Sequence, residues 1–125
     1  MYEVILFPTD GSDGATAALD HAIDQASKYG ATLDVLHVGD PESDGDAVEA
    51  AAERARDAGL QVNTAVVQGT PHEVIADYVT DRGVDVVVMG SHGRRGLDRY
   101  LLGSVTERVL RTVDVPVLVV PMVDE

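Results

Sequence analysis

Val84-Asp85-Val86-Val87-Val88-Met89 is an apolar run that empties into Gly90-Ser91-His92-Gly93-Arg94-Arg95-Gly96, and after nine intervening residues Gly93 is followed by Gly103-Ser104-Val105-Thr106-Glu107. The run has the length and composition of a buried strand, the glycines mark a loop, and Ser-x-x-Glu before further apolar residues marks a helix start. Where a strand, a glycine loop and a helix N-terminus meet, unpaired backbone N–H groups and the positive end of the helix dipole converge. That combination suits an anion such as phosphate, and the stretch predicts a bound nucleotide.

On either side of this stretch, strand and helix patterns alternate. Strand one is predicted at 2–8, helix one at 13–29, strand two at 32–38, helix two at 46–58 and strand three at 61–67. Helix three runs to Asp81 behind Thr70-Pro71-His72-Glu73, an N-cap, a first-turn proline and a capping-box acid. Strand four is 84–89, helix four starts with Ser104 as its N-cap, and strand five is 115–120, apolar on both faces with Pro116 and Pro121 at its ends. Ala15, Ala18, Leu19, Ala22, Ala26 and Tyr29 form the inward stripe of helix one, and Val48, Ala51, Ala52, Ala55 and Ala58 that of helix two. Residues 39–45 are polar and turn-rich, a surface loop. The pattern predicts an α/β fold, a doubly wound five-stranded parallel sheet with helices on both faces, as one domain over residues 1–125. Asp10 and Gly90 then lie at carboxyl ends of strands, where ligands of such sheets bind, although periodicity alone leaves the adjacency of strands one and four open.

Composition narrows the classes. The 125 residues contain no cysteine, which excludes a disulfide framework and thiolate chemistry. The opening Met1-Tyr2-Glu3-Val4-Ile5-Leu6-Phe7 lacks a basic flank and reads as strand one, no segment has a membrane-spanning length, and the expected location is the cytoplasm. The net charge of -13 disfavours nucleic acid as a partner. Fifteen Asp against a single lysine, Lys28, resembles the surface of a halophilic protein. Of nine basic residues, five (Arg94, Arg95, Arg99, Arg108 and Arg111) fall within or just after the glycine loop, where they could hold a polyphosphate or merely balance surface acid.

Gly90-x2-Gly93-x9-Gly103-Ser104 behind a valine-rich strand, with Pro8-Thr9-Asp10 after strand one, resembles the universal stress protein family over essentially the whole chain. The resemblance implies strand order 3-2-1-4-5, a homodimer and an adenine nucleotide as ligand. It implies that Asp10 meets the ribose hydroxyls beside a wall formed by Pro8 and Thr9, and that backbone groups of Val38 and Met89 meet the adenine. Gly90, His92, Gly93, Arg94, Gly103, Ser104, Val105 and Thr106 would surround the triphosphate of ATP, with Mg2+ as an optional companion. The link between strand two and helix two is shorter than in typical members and leaves less loop to cover the base.

Each of these residues also has a plain structural role open to it. The glycines permit tight connections, Ser104 can serve as a cap alone, Asp10 as a turn residue and His92 as a solvated loop residue. His21, His37, His72 and His92 fall on separate elements without recurrent carboxylates, so no metal site is predicted. There is no G-x-x-x-x-G-K-[ST] and no G-x-G-x-x-G after strand one, which removes the P-loop and dinucleotide fingerprints. A receiver domain would need an acidic pair at strand one and a lysine at strand five, and strand five has none. The resulting expectation is an ATP-binding stress-response or signalling module without catalytic residues, pairing through edge strand 115–120. The alternatives are a slow ATP hydrolase or phosphotransferase, for which only Asp10 is a candidate, and a scaffold with a vestigial pocket.

Overall fold

The computed structural model describes residues 2–10, 13–91 and 103–121. Along them run β1 (Val4–Pro8), α1 (Asp13–Tyr29), β2 (Thr32–Val38), α2 (Asp46–Asp57), β3 (Val62–Val67), α3 (Pro71–Arg82), β4 (Val86–Gly90), α4 (Ser104–Thr112) and β5 (Val117–Val120). The strands form one all-parallel sheet in the order β3-β2-β1-β4-β5. The chain winds outward from β1 to β3, then crosses back to lay β4 on the other side of β1, so the winding reverses between β1 and β4.

Alternation along each strand divides the core in two. Ile5, Phe7, Leu33, Val35, Val86 and Val88 pack against Ala18, Leu19, Ala22 and Ala26 of α1 and Val48, Ala51 and Ala55 of α2. Leu6, Leu36, Val87 and Met89 pack against Ile75 and Val79 of α3 and Val109 of α4. Small alanines let α1 and α2 lie close to the sheet, which explains how so few aromatic residues fill this interior.

Element ends differ from the sequence reading for identifiable reasons. β1 begins at Val4 because the N–H groups of Glu3 and Val4 are taken by Asp85 Oδ2, at 2.8 and 3.0 Å. β4 begins at Val86 because the N–H of Val84 closes the end of α3 on Val79 O, past left-handed Gly83. β5 begins at Val117, after Pro116, which has no N–H to donate. Ala58, expected inward, is the exposed C-cap of α2. Tyr29, also expected inward, lies in the last turn of α1, is 41 % exposed and stacks edge-on against Tyr2. Neither predicted capping box forms. Thr70 caps α3 in position but without a side-chain hydrogen bond, and the cap of α4 is Gly103, which makes Ser104 the first helical residue.

A charge lies inside the sheet. Asp34, on the α3 face of β2, is fully buried and accepts from Asn63 Nδ2 at 3.0 Å, Tyr78 Oη at 2.8 Å and Arg82 Nε at 3.3 Å. One carboxylate thus joins β2, β3 and α3. Burial, followed by the hydrogen bond and negative charge of Asp34, pushes the Tyr78 hydroxyl up from 10.0 to about 12. The stability this contributes is fully present below the unfolded tyrosine value and is lost as pH rises toward 12. Tyr78→Phe is therefore expected to lower stability at neutral pH by about 1 kcal/mol, the solvent-discounted worth of a hydrogen bond to a carboxylate. Urea denaturation should show the gap between wild type and variant narrowing above about pH 10.

Candidate functional site

The carboxyl end of the sheet opens at its centre. β1 pairs with β4 only at Ile5–Val86 and Leu6–Val87, yet β1 continues to Pro8 and β4 to Gly90, so a crevice begins where the winding reverses.

The direction of each backbone group there follows from the ladders. In β2, Thr32 N–H donates to Glu3 O and Leu36 O accepts from Thr9 N–H, whereas Leu33 N–H and Gly39 N–H donate to Gln61 O and Val67 O. Even-numbered residues of β2 thus face β1 and odd-numbered ones face β3, which turns the N–H and C=O of Val38 toward the crevice. In β4, Val87 N–H donates to Pro116 O, and just beyond the strand Ser91 N–H donates to Val120 O, so odd-numbered residues face β5. Gly90 therefore has the parity that faces the crevice. Met89 has the opposite parity, and its side chain is buried among α3 and α4.

The two ends of the glycine loop are stapled together. Gly103 N–H donates to Ser91 O at 2.7 Å, and the buried Thr106 hydroxyl donates to Gly90 O at 2.9 Å. Gly103 is extended at φ −66° and ψ 156°, and its C=O accepts the first helical bond from Glu107 N–H at 3.0 Å. The N–H groups of Ser104, Val105 and Thr106 consequently have no intrahelical acceptor, and among the described residues no side-chain cap bonds them. The positive end of α4 is thus directed to the same end of the sheet as Gly90.

The structure brings Pro8, Thr9, Val38, Gly90, Gly103, Ser104, Val105 and Thr106 to this end of the sheet, with Asp10 exposed just past β1. Thr9 and Thr106 are buried, Ser104 is exposed and Val105 half-buried. His92, Gly93 and Arg94, with Arg95 and Arg99, lie outside the described residues. Among the described residues, no three His, Asp or Glu side chains gather as a metal site, and no helix is long and apolar enough to cross a membrane.

The sequence reading passed over His37 and Asp44. His37, one residue before the end of β2, has Nδ1 at 2.9 Å from Thr9 O and Nε2 at 3.6 Å from Asp44 Oδ2. Asp44 closes the turn that follows, accepting the Asp40 N–H at 2.8 Å and a weaker contact from the Ser43 hydroxyl at 3.4 Å. The Asp40 N–H holds the Asp44 carboxyl below its ordinary range, aided by His37 and Ser43 against partial desolvation. A histidine one residue before the expected base-contacting position was the available signal, and considering it only as a metal ligand hid it.

The profile of the Universal stress protein family matches residues 1–54 and 44–121. Universal stress protein MJ0577 of Methanocaldococcus jannaschii is 32 % identical over 96 % of this chain and 95 % of its own length. Its solved structure superposes with a TM-score of 0.90 at 35 % identity, covering 100 % of this chain and 99 % of that one. YxiE of Bacillus subtilis, also a universal stress protein, is 32 % identical over 96 % of this chain and 99 % of its own. A universal stress protein solved in complex with cAMP has a TM-score of 0.83 at 28 % identity, covering 98 % of each chain.

Removing the staple on Gly90 tests its part in holding this end of the sheet. Thr106→Val preserves shape and leaves the Gly90 carbonyl without its hydroxyl donor, at an expected cost of about 1 kcal/mol in denaturant unfolding. Thr106→Ser should restore most of it.

Proposed function

The chain belongs to the universal stress protein family, and on that premise we propose that it is an adenine-nucleotide-binding module for stress response or signalling, working in the cytoplasm as a homodimer. The observation that carries the reading is the convergence at one crevice of the inward-facing backbone of Val38 and the N-terminus of α4. The first offers one donor and one acceptor side by side, which suits the edge of a purine. The second offers backbone N–H groups and a helix dipole, which suit phosphate. Asp10, exposed just past β1, is the candidate for the ribose that would join them. The relative solved with cAMP carries an adenine nucleotide on the same fold, and the sequence motif extends the reading to ATP. In this reading Gly93 and Arg94 contact the triphosphate and His92 approaches it. Mg2+ would accompany the phosphates as an ion brought with the nucleotide.

Gly103→Val tests the phosphate side. The extended backbone at this position is open to any residue, so the fold should survive, while the valine side chain fills the space through which phosphate approaches the helix. Loss of two charge-assisted hydrogen bonds corresponds to a drop of about a hundredfold in ATP affinity by calorimetry. Wild-type affinity in a folded Gly103→Val protein would remove the site.

Support for the dimer comes from the sheet edge. β5 is an edge strand with Leu118 39 % exposed, and an apolar edge left open invites pairing with another chain. Light scattering should give twice the 13.2 kDa chain mass, and Val119→Lys should shift it toward one chain.

A further inference from the structure

A carbonyl oxygen accepts hydrogen bonds and donates none, so the contact between His37 Nδ1 and Thr9 O at 2.9 Å puts a proton on Nδ1. In the neutral ring Nε2 is then a bare lone pair, and it faces Asp44 Oδ2, an ionised oxygen with no proton to give, at 3.6 Å. Only the imidazolium, protonated on both nitrogens, satisfies both neighbours. The ring is 13 % exposed, so Nε2 has little access to water as a substitute partner. Gly39 closes over the pair: a methyl group there would overlap Asp44 Oδ2 and come within 2.6 Å of His37 Nε2.

From this geometry we infer that His37 is a positioning residue for the nucleoside half of the site, operated by a proton. Charged, it clamps the Asp40–Asp44 turn to the Thr9 end of β1. Neutral, it releases the turn. The inference rests on the nucleotide-binding reading, in which Thr9 and Asp10 line the ribose and Val38, the next residue after His37, meets the base. The clamp fixes the spacing of those two walls. Among the described residues the charged group recorded against the ring is Asp44, while Asp40 of the same turn lends Asp44 its N–H and β3 sets Val66 and Val67 opposite His37 and Val38.

The test uses adenosine, which has no phosphate to titrate, on the full chain. Calorimetry from about pH 5.5 to about pH 8 spans the interval in which an imidazole changes charge. Adenosine affinity is expected to fall about fivefold across it, the scale of one part-exposed ion pair. By linkage, binding near neutral pH should take up protons, read from buffers of different ionisation heat. Gly39→Ala, which wedges the pair apart while keeping both groups, and His37→Phe should bind at the weaker level at every pH. Asp44→Asn should bind near the weaker level, because a neutral amide oxygen at the Oδ2 position keeps the Asp40 N–H but forfeits the ion pair with the ring. In ligand-free protein, hydrogen exchange at the Asp40 and Asp44 amides, corrected for the intrinsic rate, should lose protection with rising pH in wild type and show no such dependence in His37→Phe. A wild-type affinity without pH dependence, or a dependence that survives Gly39→Ala, overturns the clamp and leaves nucleotide binding standing. Failure of folded wild type to bind either adenosine or ATP at any pH overturns the nucleotide reading itself, and with it this role of His37, whatever the exchange measurement gives.

Discussion

Strand β1 meets β4 across most of the chain, with Asp85 reaching back 82 and 81 positions to the N–H groups of Glu3 and Val4. That contact is expensive in loop-closure entropy and is made at the centre of the sheet, where both strands are covered on both faces by apolar side chains. Without it, β1-β2-β3 would be a three-stranded sheet with an open apolar edge, and β4-β5 a pair with no core. The ladder beyond Asp85 is short, ending at Leu6 and Val87. The two strands then part, and the same junction that closes the core at one end opens the crevice at the other. Fold and candidate site are consequences of one pairing.

The polar interactions of the interior determine which packing is adopted. Two-sided apolar strands such as β2 can slide by two residues with little change in what they bury. Asp34 removes that freedom, since its carboxylate finds Asn63, Tyr78 and Arg82 in one register of β3 and one placement of α3. A buried charge contributes little to net stability, and its attested use is to select among arrangements of equal hydrophobic content. α3 packs on β2 beside the edge strand β3, the least covered part of the sheet, and that is where such selection matters most.

Element type and order were legible because most strands are short apolar runs, the first two helices carry small apolar stripes, and capping signals mark the other two. Strand order came from the family resemblance and agrees with the sheet, whereas periodicity could not have supplied it, because nothing in the pattern of β1 names β4 as its neighbour. Ends of elements were less legible, since they are decided by partners distant in sequence: Asp85 shortens β1, and Val79 takes the N–H of Val84 from β4. Ser104 was read as a cap from its residue type, but the C=O that begins the helix belongs to Gly103. At the site, the parity that turns Val38 and Gly90 inward and Met89 outward depends on which strands flank β2 and β4. Asp34 was visible as a charge in an apolar strand, and only the fold could reveal its three donors.

An anion-binding site in a chain of net charge -13 would work against the field of its own surface. Cationic side chains could offset that field, yet they are long, and an acidic surface draws them into ion pairs such as Arg111 with Glu107. Backbone N–H groups have no such alternative. Those at the start of α4 are fixed by the helix, directed along its axis and act at contact distance, inside the range over which salt and surface acid average out. An acidic protein can therefore carry a phosphate site built on glycine and helix geometry without altering its surface. Such a site would depend on the exact path of the backbone, and here the loop ends are held by two short bonds, Gly103 to Ser91 and Thr106 to Gly90, with His37 tied to Thr9 on the other side.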